Sequence, residues 1–170
     1  PYYESGAKLT YVTDNGKWLL SGLLLNGWQH IQRPEGNNSA AFGTQITFTP
    51  NSKVTLNYST FIGNDKPDEV KQMRYFHNLY GIIHLSDQFH ITAGFDYGME
   101  QNAPESDEFN NWYSPVLILK YDLNDTWSVA GRFENYTDEN GVIVATGTEN
   151  GFKTTGFSLN LDCRIRTNAV

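Results

Sequence analysis

The chain is poor in the features that would mark several common protein classes. It has a single cysteine, Cys163, so an internal disulfide framework and a cysteine-rich metal site are both excluded. It carries 12 lysines and arginines against 19 aspartates and glutamates, a net charge of -7. No basic stripe exists to neutralise phosphates, so nucleic acid is not an expected partner. Nothing approaches the roughly 20 consecutive apolar residues of a membrane-crossing helix, and the mean hydropathy is -0.50. A membrane β-barrel stays open as a reading, because only every second strand residue meets lipid. There is neither an initiating methionine nor a signal peptide, which predicts that an upstream segment has been removed. At 170 residues the length fits one domain, residues 1–170.

What is present is aromatic residues (ten Tyr, ten Phe, four Trp) and strict two-residue alternation. From Phe89 to Glu100, the residues Phe89, Ile91, Ala93, Phe95, Tyr97 and Met99 share one face, and His90, Thr92, Gly94, Asp96, Gly98 and Glu100 share the other. Phe157, Leu159, Leu161, Cys163 and Ile165 likewise oppose Ser158, Asn160, Asp162, Arg164 and Arg166. Phe42, Thr44, Ile46 and Phe48 oppose Gly43, Gln45 and Thr47. About nine such strands alternate with two kinds of connection. Short ones fall at Asn15-Gly16, Pro50-Asn51-Ser52, Ser86-Asp87-Gln88 and around Asn124; long acidic ones run His30–Ser39, Asn64–Lys71, Gln101–Asn111 and Asp138–Gly151. In an up-and-down meander all the tight turns lie at one end and all the long loops at the other. That asymmetry marks a transmembrane β-barrel with periplasmic turns and extracellular loops.

Turn chemistry predicts the register. Asn15-Gly16 as a type I′ turn sets Tyr11 opposite Leu20. The Ser86-Asp87-Gln88 turn sets Leu79 opposite Phe95, Tyr75 opposite Met99 and Arg74 opposite Glu100, and a turn centred on Asn124 sets Tyr121 opposite Trp127 and Leu119 opposite Val129. Two aromatic girdles result: Tyr11, Trp18, Phe48, Phe89, Tyr121 and Trp127 near the turns, with Tyr3, Trp28, Phe42, Tyr97, Tyr113 and Phe157 near the loops.

The segments AFGTQITFTPNSKVTLNYSTFIGND, YFHNLYGIIHLSDQFHITAGFDYG and WYSPVLILKYDLNDTWSVAGRFENYTDENGVI resemble the OmpL-like β-barrel porins of Gram-negative outer membranes. The tail GFKTTGFSLNLDCRIRTNA is similar to that family's final repeated pattern, where a tyrosine is commoner at the place of Cys163. The resemblance implies a pore-forming protein of the outer membrane and further strands after Val170. It carries no catalytic signature and no defined substrate.

The expected fold is therefore all-β: an antiparallel, up-and-down transmembrane β-barrel with about nine strands present, part of a larger barrel. With the apolar face toward lipid, the lumen-lining charges are Glu4, Lys8, Arg74, Asp96, Glu100, Lys120, Arg132, Glu134, Asp162, Arg164 and Arg166, six basic and five acidic. They suit either a water-filled path with a transverse field or pairs that hold one another in a narrow barrel. Asp65, Asp68, Glu69, Glu105, Asp107, Glu108, Asp138 and Glu139 form an acidic mouth that would concentrate cations.

The expected function is a porin-like channel for small hydrophilic solutes or ions, with no chemical step, cofactor or metal. Its partners are membrane lipid and solute; an apolar outer face serves a homo-oligomer equally well. Two alternatives stay open: a plugged barrel displaying its loops to a partner, and a soluble barrel or sandwich that binds an apolar ligand. Clustered oxygens at Asn64–Glu69 and Asp138–Asn140 offer ligands for Ca²⁺, although neither matches an EF-hand loop. His84 and His90 are expected to be cross-strand neighbours on the lumen side without a third metal ligand, and His77 faces lipid without a paired serine.

Overall fold

The structure, a computed structural model, describes residues 4–164. Nine strands form one sheet: β1 (Gly6–Val12), β2 (Trp18–Leu25), β3 (Ala41–Asn51), β4 (Val54–Asn64), β5 (Met73–His84), β6 (Phe89–Gln101), β7 (Phe109–Asp122), β8 (Trp127–Asp138) and β9 (Phe152–Cys163). Each pairs antiparallel with its sequence neighbour, in the order β1 to β9. The one helical element among the described residues is a 3₁₀ turn at Asp68–Val70. Among the described residues the sheet is not closed: β1 and β9 each have a strand partner on one side only. Every unpaired backbone group in hydrocarbon costs several kcal/mol, so a membrane sheet must close on further strands. Because β1 and β9 run in the same direction, an all-antiparallel closure needs an odd number of them. The open all-antiparallel sheet is consistent with part of a larger barrel.

The register follows the turn chemistry, with three adjustments. Tyr11 faces Leu20 as expected. The turn between them is not type I′, however, because Gly16 has φ 66° while Asn15 does not enter the left-handed region. Instead the Gly16 N–H donates to Thr13 O, and the Asn15 side-chain oxygen accepts from the Lys17 N–H and the Thr13 hydroxyl. An asparagine side chain stands in for a backbone turn here. In the second hairpin Pro50 and Asn51 stay in β3, and the chain reverses at Ser52-Lys53 after a bulge between Phe48 and Asn51. The bulge accommodates a residue that has no N–H to donate.

Leu79 opposite Phe95, Tyr75 opposite Met99 and Arg74 opposite Glu100 are all present. The fourth hairpin differs: Tyr121 faces Val129 and Leu119 faces Gly131, two residues from expectation. Its turn is centred on Asp125, since Leu123 N–H bonds Trp127 O. Asn124 is the first loop residue, and its side chain accepts from the N–H groups of Thr126 and Trp127. Ser86 does the same for Gln88 and Phe89. A two-residue displacement keeps parity, so every side chain stays on its expected face.

The two faces are inverted relative to a soluble protein. On the apolar face, Leu9 is 82% exposed and Phe157 and Leu159 are both 79% exposed, with no protein layer over them. The packed side chains lie on the polar face, where Asn57, Arg74, Glu100, Ser128 and Asp138 are buried. Side chains pack on the polar face and the apolar face is left bare, which is the distribution a bilayer requires.

Candidate functional site along the inner face

The polar face carries three layers of side chains between the long loops and the short turns. Nearest the loops, Arg74 on β5 donates through Nη2 and Nε to Glu100 Oε2 on β6, at 2.6 and 2.9 Å, and through Nη1 to Asp65 Oδ2 at 2.8 Å. Lys66 Nζ reaches the other Glu100 oxygen at 3.1 Å. The two bases and two acids of this layer compensate one another. A bare charge could not be held there, because an unpaired buried ion is costly. Two indole rings adjoin the guanidinium, Trp28 and Trp112, each with its centroid 5.8 Å away and set edge to face with one another. The Trp112 ring occupies space left by Gly98 opposite it on β6; a Cβ there would stand 2.0 Å from the ring.

Trp28 is the main departure from the expected placement. It belongs to the loop after β2 rather than to a lipid-facing girdle. The left-handed backbone of Gln29, φ 58°, and a 2.8 Å bond from the Trp28 N–H to Asp65 Oδ1 accompany its inward course. Its ring packs edge-on against Phe61 at 5.1 Å and Phe76 at 4.7 Å. Leu25, Ala41 and Phe61 complete a small apolar cluster at this level. Leu23 and Leu25 of β2 thus turn inward, and an apolar cluster lies beside the ion cluster at the loop end of the inner face.

At mid-depth runs a polar ladder. Lys8 Nζ donates to Gln45 Oε1 at 2.8 Å, Gln45 Nε2 to Asn57 Oδ1 at 3.1 Å, Asn57 Nδ2 to Asn78 Oδ1 at 3.4 Å, and Asn78 Nδ2 to Asp96 Oδ1 at 2.6 Å. Near the turns, Asp122 gathers three bases: His90 Nε2 at 2.9 Å, Lys120 Nζ at 3.2 Å and Arg164 Nη2 at 2.9 Å. His84 Nδ1 lies 2.6 Å from His90 Nδ1. One of these two facing nitrogens carries the proton and the other accepts it, so the histidine pair is linked to Asp122 through His90. Asp122 was not singled out in the sequence, although the alternation that selected Lys120 also selects it.

The remaining lumen candidates spread along the same face. Arg132 pairs with Glu134 on β8, whereas Arg164 turns to Asp122. Asp162 lies across from Ser128. Glu4 precedes β1; burial, and secondarily the negative charge of Asp65, push its carboxyl above the usual range. Arg166 lies outside the described residues.

The acidic loop residues divide. Glu69, Glu105, Asp107, Glu108 and Glu139 are exposed, Glu139 paired with Lys153 at 2.7 Å. Asp65 sits in the ion cluster, 6% exposed. Asp138 is fully buried and accepts from the backbone N–H groups of Val142, Ile143 and Val144, tying down the last long loop. Asp68 accepts from the side-chain amide and backbone N–H of Asn38 and from Ser39 Oγ, and the Asn38 bonds hold its carboxyl below the ordinary range. Among the described residues, no group of three or more His, Cys, Asp or Glu is arranged to hold a metal ion.

Neither a curated protein nor a solved structure matches the chain. A family model does, that of the putative beta-barrel porin-2, OmpL-like proteins, and it covers residues 1–170. With an uncovered apolar face, a polar inner ladder and turns and loops sorted to opposite ends, the chain belongs to this family of OmpL-like β-barrel porins.

Proposed function

We propose that this chain forms the wall of an outer-membrane channel through which small hydrophilic solutes or ions diffuse passively, with cations preferred at the mouth. The observation that carries the reading is the ladder from Lys8 to Asp96, a continuous run of hydrogen-bonding groups across the face turned away from lipid. Such a face costs little to hydrate, and groups that exchange bonds with water let a hydrated solute pass. Family membership supports a membrane setting and a transport role without a chemical step. The exposed carboxylates of Glu69, Glu105, Asp107 and Glu108 support the cation preference, since a negative rim raises local cation concentration over roughly 8 Å at physiological salt.

One observation favours a second reading. Trp28 and the Arg74 cluster fill the loop end of the inner face, as a plug would, leaving a structural barrel that displays its loops. Single-channel recording in a planar bilayer under a salt gradient separates the two. Stable steps with a cation-leaning reversal potential are expected. A silent bilayer, with insertion shown independently, would replace the channel by the plugged barrel, and a chloride-leaning potential would overturn the selectivity.

A further inference from the structure

Two clefts open on either side of Trp28 on the inner face. One, of about 390 Å³, is lined by Trp28, Phe61 and Phe76 together with Asn78, Glu4 and Asp96. The other, of about 260 Å³, is lined by Trp28, Phe76, Trp112, Tyr136 and Ser114, and again by Asp96. No lysine, arginine or histidine lines either cleft. Lys8 is tied to Gln45, and Arg74 spends its donors on Asp65 and Glu100. Asp96, by contrast, accepts from the neutral Asn78 amide and forms no ion pair among the described residues. Glu4 adds a second carboxylate at the rim of the larger cleft. The aromatic walls already attract a cation: the Arg74 guanidinium lies 5.8 Å from the centroids of Trp28 and Trp112.

We infer that the clefts flanking Trp28 form a binding site for small organic ammonium ions, with Asp96 meeting the charge and Trp28 and Phe76 covering the apolar body. A carboxylate lacking a counter-cation among the described residues, in clefts also lined by aromatic rings, matches a ligand that is cationic at one end and apolar along its flank. Inorganic cations gain less from the rings because their hydration shells keep them distant, and neutral alcohols gain nothing from the charge. The inference deepens the channel reading and rests on it: the site would slow and select ammonium-bearing solutes among those that pass.

The test uses the full chain refolded in detergent micelles, with binding measured calorimetrically for benzylammonium, for benzyl alcohol of nearly the same shape, and for glucose. Saturable benzylammonium binding is expected, roughly tenfold tighter than benzyl alcohol. Asp96→Asn, which preserves shape and the bond from Asn78, should remove most of that difference. Glu4→Gln, which removes the second carboxylate lining the larger cleft, should weaken binding less. Equal affinity for the amine and the alcohol would overturn the inference and leave an apolar slot, and tighter binding of glucose would make it a polyol site. Because binding in micelles does not require a conducting pore, its loss and a silent bilayer are separate outcomes.

Discussion

Arg74 and Glu100 face each other across β5 and β6 with Nη2 and Oε2 2.6 Å apart, both buried and both beneath the loops. Their pairing couples wall and mouth, because Arg74 also holds Asp65, and Asp65 holds the backbone N–H of Trp28. Removing the guanidinium would leave Glu100 with Lys66 alone and Asp65 without an ion-pair partner among the described residues.

Arg74→Met should therefore cost about 3–5 kcal/mol, the usual penalty for breaking a buried pair from one side. The double variant Arg74→Met with Glu100→Gln should recover part of that, because one stranded charge is gone. Urea midpoints of the refolded protein in lipid vesicles, followed by tryptophan fluorescence, would check this. An Arg74→Met protein as stable as the parent would show that the pair is solvated in the membrane.

Much of this was legible in the sequence, for reasons that particular residues make plain. Alternation fixed the faces of β6 and β9 because a period of two admits no other pleat. The pairing of Arg74 with Glu100 followed from a three-residue turn at Ser86-Asp87-Gln88. At Asn124 the register lies two residues from the expectation, because an asparagine that caps a turn from its first position and one at the turn's centre share one sequence signature. Alternation carried through β2 places Trp28 in a girdle, but the strand ends at Leu25 and parity means nothing in a loop. The roles of Asp65 and Asp138 were hidden for the same reason: loop carboxylates look alike in sequence whether they face solvent or bond backbone N–H groups.

Charge introduced on the bare face should be penalised where the same charge on the inner face is tolerated. Leu159→Arg, midway along β9, should cost about 2–4 kcal/mol at the bilayer midplane. Its neighbour Asn160 points to the other side, so Asn160→Arg should cost well under about 1 kcal/mol, as surface substitutions do. Refolding equilibria in lipid vesicles give both values. Equal penalties would contradict the orientation of the sheet.

Two loop-end carboxyls should make opposite contributions to stability against pH. The Glu4 carboxyl is raised from 4.5 by burial and then by the Asp65 charge, so its contribution is full below that value and is lost as pH rises through the raised folded one. The Asp68 carboxyl is lowered from 3.8 chiefly by the Asn38 side-chain bond, so its contribution is present above 3.8 and is lost as pH falls through the depressed folded value. Glu4→Gln should remove the decline on the alkaline side of 4.5, and Asp68→Asn the decline on the acid side of 3.8. Urea midpoints across about pH 3 to 7 would show both slopes. Unchanged pH profiles in the variants would assign the slopes to other groups.

A last prediction concerns a polar pair on the lipid side. Tyr58 on β4 and His77 on β5 both point away from the inner ladder, and the tyrosine hydroxyl lies 2.7 Å from His77 Nδ1 with the rings nearly parallel, 11° apart. Each satisfies the other where no water can. Tyr58→Phe keeps the ring and deletes the partner, leaving an imidazole nitrogen unbonded in hydrocarbon at a cost of about 1–3 kcal/mol. Adding His77→Phe removes the orphan as well, and the double variant should return near the parent, since replacing both partners by apolar groups is close to neutral. The same pair of variants in detergent, where water reaches the site, should show a smaller penalty for Tyr58→Phe than in vesicles. If the penalty is the same in both, water reaches this position in the membrane too, and the apolar face is not lipid-facing at the level of Tyr58.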